Sequence, residues 1–331
     1  MDIYILWIVV ILALSFDFIN GFHDTANAIA TSVSTRAMKP RVAIMMAALM
    51  NFFGAITFTG VAKTIGSGVA DPSVLDNGVE IVIAALISAI AWNLITWWFG
   101  IPSSSSHALI GSLTGAVIGG AGMGNVNGNG LLDILKALIL SPILAFGVGF
   151  CIMWLLKLIF GRMSPHSVNK GFRTGQIITA MFQAFSHGTN DAQKAMGIIV
   201  FALVAAGIQD TMDVPLWVKL SAATAMALGT SVGGWKIIKT MGTKIFKIEP
   251  INGFAADMSS AAIIISATLI HLPVSTTHVI TSSILGVGSA KRFSGVNWSV
   301  AGRIVVAWVI TIPITILFSM GTYWLIDVIF Y

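Results

Sequence analysis

The sequence predicts an all-α polytopic membrane protein. It is built as two inverted-topology repeats of about five membrane segments each, with interrupted helices and Pro-Ser-rich half-helix starts. Three observations carry this prediction. Of 331 residues, 56% are hydrophobic and 9% charged, with a mean hydropathy of +0.91, far too little charge to cover a water-soluble surface. The apolar residues fall in long runs parted by short polar patches, and a spanning helix needs about 20 mostly apolar residues. Two polar motifs each occur twice, in the same order and at nearly one spacing. Because the runs are continuous rather than alternating, a β-barrel is excluded.

The first run, 3–35, opens MDIYILWIVVILALSFDFIN and is interrupted by GFHDTANA. It has no basic n-region and no small-residue cleavage site, so it reads as a retained first helix rather than a signal peptide. Runs follow at 41–62, 79–100, 102–120 and 131–160, then 176–205 (interrupted), 214–235, 254–271, 273–290 and 299–330. The chain therefore divides into a first repeat, 1–160, a short cytoplasmic connector, 161–175, and a second repeat, 176–331. The stretch GGAGMGNVNGNG (119–130) lacks the strand and helix context of a dinucleotide fingerprint and reads as a loop. The tryptophans of WNLITWWFG (92–100) read as an interfacial belt. A single cysteine, Cys151, supports neither a disulfide framework nor a metal cluster.

Charge sorts the loops. Arg36, Lys39 and Arg41 follow the first run. Arg162, Lys170 and Arg173 follow the fifth, Lys236, Lys239, Lys244 and Lys247 the seventh, and Lys291 and Arg292 the ninth. Loops with Asp71, Asp76 and Glu80, and with Asp210 and Asp213, are acidic. If each run makes one net crossing, every basic loop falls on one side. Basic loops stay cytoplasmic, which places both termini outside a plasma membrane. The net charge of +5 thus belongs to membrane orientation, and no nucleic-acid partner is expected.

FHDTANA (22–28) echoes TNDAQKA (189–195) when Asp24 is set on Asp191, an offset of 167. IPSSSSHALIGSLTG (101–115) echoes LPVSTTHVITSSILG (272–286) at an offset of 171, with Pro102 on Pro273, His107 on His278 and Gly115 on Gly286. Two motifs in one order mean a duplicated unit. Five crossings per unit turn the second copy upside down, the arrangement of secondary transporters with a site near the midplane.

A carboxylate at the centre of a bilayer costs on the order of 3 kcal/mol or more. One alone is as readily an interhelical hydrogen-bond knot. Two at matched positions, Asp24 and Asp191, favour a cation site. Asn20, Asn27 and Asn190 add amide oxygens, and the set suits sodium or a proton. The Pro-Ser/Thr runs are helix starts: proline fits the first turn and hydroxyls cap free N–H groups. Such starts attract anions without Arg or Lys. Ser104, Ser105 and Ser106, facing Ser275, Thr276 and Thr277, can hold a tetrahedral oxyanion. His107 and His278 either relay protons, contact the oxyanion, or orient the serine helices. His23 and His187 flank the acidic motifs at non-equivalent positions and carry less weight. Lys194 either neutralises Asp191, the preferred role, or meets the anion. No Ser-His-Asp order or zinc spacing supports an enzyme.

With these motifs in place, the chain resembles the inorganic phosphate transporter (PiT) family, of the bacterial low-affinity permease type. The resemblance lies in NGFHDTANAIATSV (20–33), SHGTNDAQKAMGI (186–198), IPSSSSHALIG (101–111), LPVSTTHVITS (272–282) and GTSVGGWKIIKTMG (229–242). It implies cation-coupled phosphate uptake through an inverted-repeat fold. Asp24, Asn27, Asn190 and Asp191 would lie at the coupling-ion and substrate centre, and the six Ser and Thr residues would cradle phosphate. His23 stands where members often have Asn, and Lys194 falls opposite Asn27. The long hydrophilic central loop of animal members is absent.

The resulting expectation is a symporter, not an enzyme, working by alternating access, with phosphate, the bilayer and a homo-oligomer as partners. No cofactor is expected. The coupling ion is sodium, held by Asp24 and Asp191, or a proton, and phosphate travels free or as a divalent-metal complex. Sulfate or another tetrahedral oxyanion is the alternative cargo. An anion channel fits less well, because it has no use for carboxylates beside its anion site.

Overall fold

The computed structural model describes residues 3–330, with side chains from 4 to 328. Among them are thirteen α-helices and no strand. Helix α1 (Ile3–Ser34) leads to α2 (Pro40–Ala55), α3 (Gly60–Gly68), α4 (Gly78–Phe99), α5 (Ser105–Ala121) and α6 (Gly128–Phe160). The second half holds α7 (Pro165–Asp191), α8 (Gln193–Ala205), α9 (Leu216–Val232), α10 (Trp235–Lys239), α11 (Pro250–Leu269), α12 (Thr276–Arg292) and α13 (Trp298–Phe330).

Local chemistry sets the ends. Ser104 and Ser275 cap α5 and α12 by accepting from the backbone N–H groups of His107 and His278. Pro40, Pro165 and Pro250 occupy first turns, where a missing N–H costs nothing. Gly100 closes α4 in the left-handed region, at φ 65°. Two expectations change. The motif GFHDTANA does not interrupt α1, which is one helix of 32 residues. Thr25 bonds back to Gly21 O at 2.7 Å, and the other polar groups find partners on neighbouring helices. The expected interruption of 176–205 is present, as a break at Ala192 between α7 and α8. Finally, most of 161–175 is not a loop, because α7 starts at Pro165.

Ten simple crossings are not what the helices provide. Among the described residues, α1, α4, α6 and α13 are each long and apolar enough to cross a membrane, and α2 with the segment Gly60–Val74 makes a fifth candidate bent by 74°. The runs 102–120 and 273–290 are the returning arms of two helical hairpins. Helix α5 comes back along α4, so that Asn77 Nδ2 at the start of α4 donates to Gly120 O at 2.8 Å. Helix α12 comes back along α11, and Lys291 at its end pairs with Glu249 at 2.7 Å. The hairpin tips meet inside the protein, where Ser106 Oγ donates to Val274 O at 2.9 Å. Pro102 and Pro273, at these tips, are both buried.

Apolar packing divides into two main cores. One joins Val9, Phe16, Ile65, Leu86, Leu113, Phe201 and Met226; the other joins Ile29, Ala47, Ile237, Met241, Ile284 and Ile304. The polar motif residues of α1, α5, α7 and α12 fall between them. Helices α6 and α13 lie outermost, 33 residues each, about 50 Å long. They present Ile139, Ile143, Leu155, Val309 and Leu317 outward, and each contains one proline, Pro142 or Pro313.

Close crossings recur at matched positions. A Cβ at Gly21 would clash with Met226 O, and one at Gly229 with Phe18 O; Gly188 and Gly54 meet Asn51 O and Phe185 O in the same way. Likewise Gly115 abuts Ile316 O and Gly286 abuts Phe146 O. Small residues let helix backbones touch where apolar lipid offers no hydrophobic drive. Gly229→Ala is therefore expected to cost about 1–3 kcal/mol by overpacking, read as a lower thermal midpoint in detergent. Gly302→Ala, with nothing within 4 Å, should leave the midpoint in place.

Candidate functional site

The α1 motif, the α7–α8 break and both hairpin tips converge on one buried polar cluster. Asp24 is 1% exposed and Asp191 and Lys194 are 0% and 1%, so the cluster is closed to both sides. Asp24 Oδ1 receives Thr277 Oγ at 3.2 Å and lies 2.7 Å from His23 Nδ1. Its Oδ2 receives Ser105 Oγ at 3.2 Å. Lys194 Nζ donates to Ser105 Oγ and to Asp191 Oδ2, both at 2.9 Å. Asn20 Nδ2 donates to the same Asp191 oxygen at 3.3 Å. One continuous chain thus links the two motif aspartates through a serine at a helix start. The break at Ala192 brings Lys194 back toward Asp191.

The remaining motif residues fall around this chain. Asn27 Nδ2 donates to Thr277 Oγ at 2.9 Å and Thr276 Oγ at 3.3 Å. Asn190 binds the α11–α12 tip instead, donating to Thr268 Oγ and Leu272 O and accepting from Val274 N. Among the six hydroxyl residues, Ser105, Thr276 and Thr277 face Asp24 and Asn27. Ser104 and Ser275 serve as caps and Ser106 as a tip-to-tip tie. His107 and His278 pack with ring centroids 4.4 Å apart and planes tilted by 45°, and Trp308 stacks on His278 at 3.8 Å. Trp308 in turn donates to Pro102 O. His23 reaches Thr96 at 3.0 Å with its other nitrogen, and His187 stands 3.4 Å from Asp191 and 3.1 Å from Asn51. Both histidines are nearer the centre than their sequence positions suggested.

What can this arrangement hold? Two carboxylates face one ammonium, leaving one negative charge in excess if the histidines are neutral. Asn20 Oδ1, Asn27 Oδ1 and Asp191 Oδ1 are buried acceptors with no hydrogen-bond partner, and ligand atoms of Asp24, His187 and Asp191 lie within 4.8 Å of one another. Unpaired oxygens around net negative charge match a hard monovalent cation or a proton. The N-terminus of α5, with Ser105 and Lys194 beside it, supplies the positive side that an oxyanion needs.

Two open cavities flank the tips. One of about 220 Å³ is lined by Gly100, Ile101, Pro102, Lys244 and Arg303. The other, about 470 Å³, is lined by Gly60, Lys63, Thr64, Thr268 and His271. Each therefore ends on one hairpin and offers basic groups.

Sequence reasoning passed over two buried carboxylates. Asp17 is fully buried on α1, and Asp257 on α11 accepts from Thr31 Oγ at 2.7 Å. Each interrupts an apolar stretch, SFDFIN and GFAADMSS, so the argument that found Asp24 applied to them equally. The polar partners Thr96, Gln183 and Thr268 carried no such signal. Trp97, expected in an interfacial belt, packs against Phe22 at 5.2 Å, while Lys236 lies over Trp98 at 4.6 Å.

Residues 20–319 match the phosphate transporter family. A relative from Bacillus subtilis (strain 168), named a "probable low-affinity inorganic phosphate transporter", is 59% identical over 324 residues, 98% of this chain and 97% of that one. A Rhizobium meliloti (strain 1021) protein of the same name is 46% identical over 96% of this chain and 95% of its own. Among solved structures, one titled "The sodium-dependent phosphate transporter" superposes with a TM-score of 0.91 at 27% identity, covering 99% of this chain and 100% of that chain.

Proposed function

We propose that this chain, which belongs to the phosphate transporter family, imports inorganic phosphate across the plasma membrane together with a cation, sodium or a proton. The observation that carries this reading is the chain Asp24–Ser105–Lys194–Asp191, set between two helix N-termini and buried from both sides. An anion entering a cell works against the potential, at about 2.3 kcal/mol per charge per 100 mV. With its histidines neutral, the centre carries one negative charge in excess. Phosphate binding there is favourable once a cation occupies the free oxygens of Asn20, Asn27 and Asp191.

In this account Ser105, Thr276 and Thr277 give hydrogen bonds to phosphate, while Asp24 accepts one from a protonated phosphate oxygen. Sulfate has no such proton to give at neutral pH, so the ionised acceptor favours phosphate. The cavities at Lys244–Arg303 and at Lys63–His271 are the inner and outer approaches. The two halves, 1–160 and 176–331, act as inverted repeats, and the matched glycine crossings and paired hairpins support that reading. Rocking of one half against the other alternates access. The basic loops are cytoplasmic and both termini external, as the charge distribution favours.

Phosphate binding to the purified protein tests the site without transport. Calorimetric titration with phosphate should show binding that strengthens with sodium or with acid, and sulfate should not compete. Equal binding of both anions, indifferent to any cation, would contradict the reading. In the same assay Ser105→Ala is expected to weaken phosphate by roughly ten- to a hundredfold, the loss of one hydrogen bond to a charged group.

A further inference from the structure

Arg303 is the one charged residue of α13 between Trp298 and Ile326. It shares a helix face with Val306 and Ile310, both exposed on the outside of the protein. A long bond from Nη1 to Ser299 Oγ, at 3.4 Å, leaves most of its five donors free. Across a cavity of about 220 Å³ stands Lys244, also exposed. The lysines that pair with acids are Lys63, Lys136, Lys194 and Lys291; among the described residues, neither Lys244 nor Arg303 has an acidic partner. Apolar side chains of Ile101, Pro102, Val300 and Ile304 fill the walls between the two cations. Those walls are fixed to one another. Thr240, one turn before Lys244, donates from Oγ to Gly100 O at 3.2 Å. The N–H of Asn297 donates to Ile245 O at 2.8 Å, which pins the start of α13 beside Lys244. Trp308 Nε1 donates to Pro102 O at 3.1 Å. The pocket is therefore preformed, with a free cation on each of two walls.

Two cations without counter-ions attract an anion, and an arginine fork suits a phosphate group in particular. The walls decide which kind of phosphate. A free, fully hydrated anion gains nothing from Ile101, Val300 and Ile304. A phosphodiester carried on a lipid brings glycerol and acyl chains that cover them, and that continue along Val306 and Ile310. Place agrees with chemistry. Lys244 belongs to the basic segment Lys236–Lys247, which the charge distribution puts on the cytoplasmic side. Basic pockets between membrane helices on that side attract anionic headgroups. We propose that Lys244 and Arg303 form a binding site for the headgroup phosphate of an anionic phospholipid, whose chains lie along α13. The site is argued apart from the transport reading. Where that reading holds, the same pocket is the inner approach, and a seated headgroup narrows it beside Pro102, just before the start of α5.

The experiment titrates the full-length protein, in mild detergent, with phosphatidylglycerol or with phosphatidylcholine of the same chains, and reads bound lipid by native mass spectrometry. One phosphatidylglycerol per chain is expected, held about tenfold more tightly than phosphatidylcholine. Lys244→Gln and Arg303→Gln should each weaken it about fivefold, the scale of one basic group at an anionic surface. Arg303→Lys keeps the charge and should keep most of the affinity. Lys239→Gln and Lys247→Gln remove the same charge from the same segment outside the pocket, and should leave binding nearly unchanged. Equal retention of the two lipids by the wild type would overturn the site, and that comparison needs no variant to fold. Equal losses in the pocket variants and in the Lys239 and Lys247 variants would overturn it too, since they would mean surface attraction only. Displacement of phosphatidylglycerol by an equal concentration of inorganic phosphate would assign the pocket to the free anion and overturn the lipid. None of these readouts depends on phosphate transport.

Discussion

Phosphate uptake by Asp24→Asn is expected to fall on the order of a hundredfold or more, the scale of removing one partner from a buried charge cluster. Asp24 is where three elements meet: it takes hydrogen bonds from Ser105 on α5 and Thr277 on α12, and touches His23 on its own helix. Asparagine keeps the shape and loses the charge. It also places an amide N–H where two hydroxyls now donate. The fold should survive, because the substitution leaves the two apolar cores that flank the cluster intact. Size-exclusion profile and thermal midpoint check that point; uptake in proteoliposomes checks the loss. Near wild-type uptake would remove Asp24 from the mechanism.

The second large effect belongs to Lys194. Its ammonium joins Asp191 to Ser105, and it is one of the largest fully buried side chains in the protein. Lys194→Met leaves Asp191 charged, buried and unmatched, a change that costs about 3–5 kcal/mol in buried pairs. A large fall in thermal midpoint is expected, together with loss of uptake. Adding Asp191→Asn to Lys194→Met removes the stranded charge. The double variant should recover much of the midpoint but none of the transport. A double variant no more stable than Lys194→Met would show that the pair is not coupled as described.

Much of this was legible because polarity inside apolar runs is conspicuous. Asp24 and Asp191, the hydroxyl-rich helix starts and the order of the motifs all follow from residues that a bilayer tolerates only for a reason. The structure brings Asp24, Ser105, Thr276, Thr277, Lys194, Asp191 and Asn20 into one cluster. Depth was not legible. A hairpin arm and a full crossing have the same composition, so the crossing mode of 102–120 and 273–290 stayed open until Asn77 and Lys291 fixed where α5 and α12 end. The course of α1 was misjudged for a related reason. Glycine and asparagine weaken a helix in isolation, but here Gly21 gives α9 room to pack and the asparagines bond across to other helices. Asp17 and Asp257 escaped notice because the duplicated motifs drew the reading toward paired positions, and neither has an acidic counterpart at the repeat offset.

Symport of phosphate with a cation is the central claim, and radiolabelled phosphate uptake into proteoliposomes tests it most directly. An inward sodium gradient and an inward proton gradient are applied in turn, with excess sulfate present. Concentrative phosphate uptake under one gradient, unaffected by sulfate and abolished when the gradient is collapsed, is the predicted result. Phosphate flux that is indifferent to both gradients, or erased by sulfate, would contradict it.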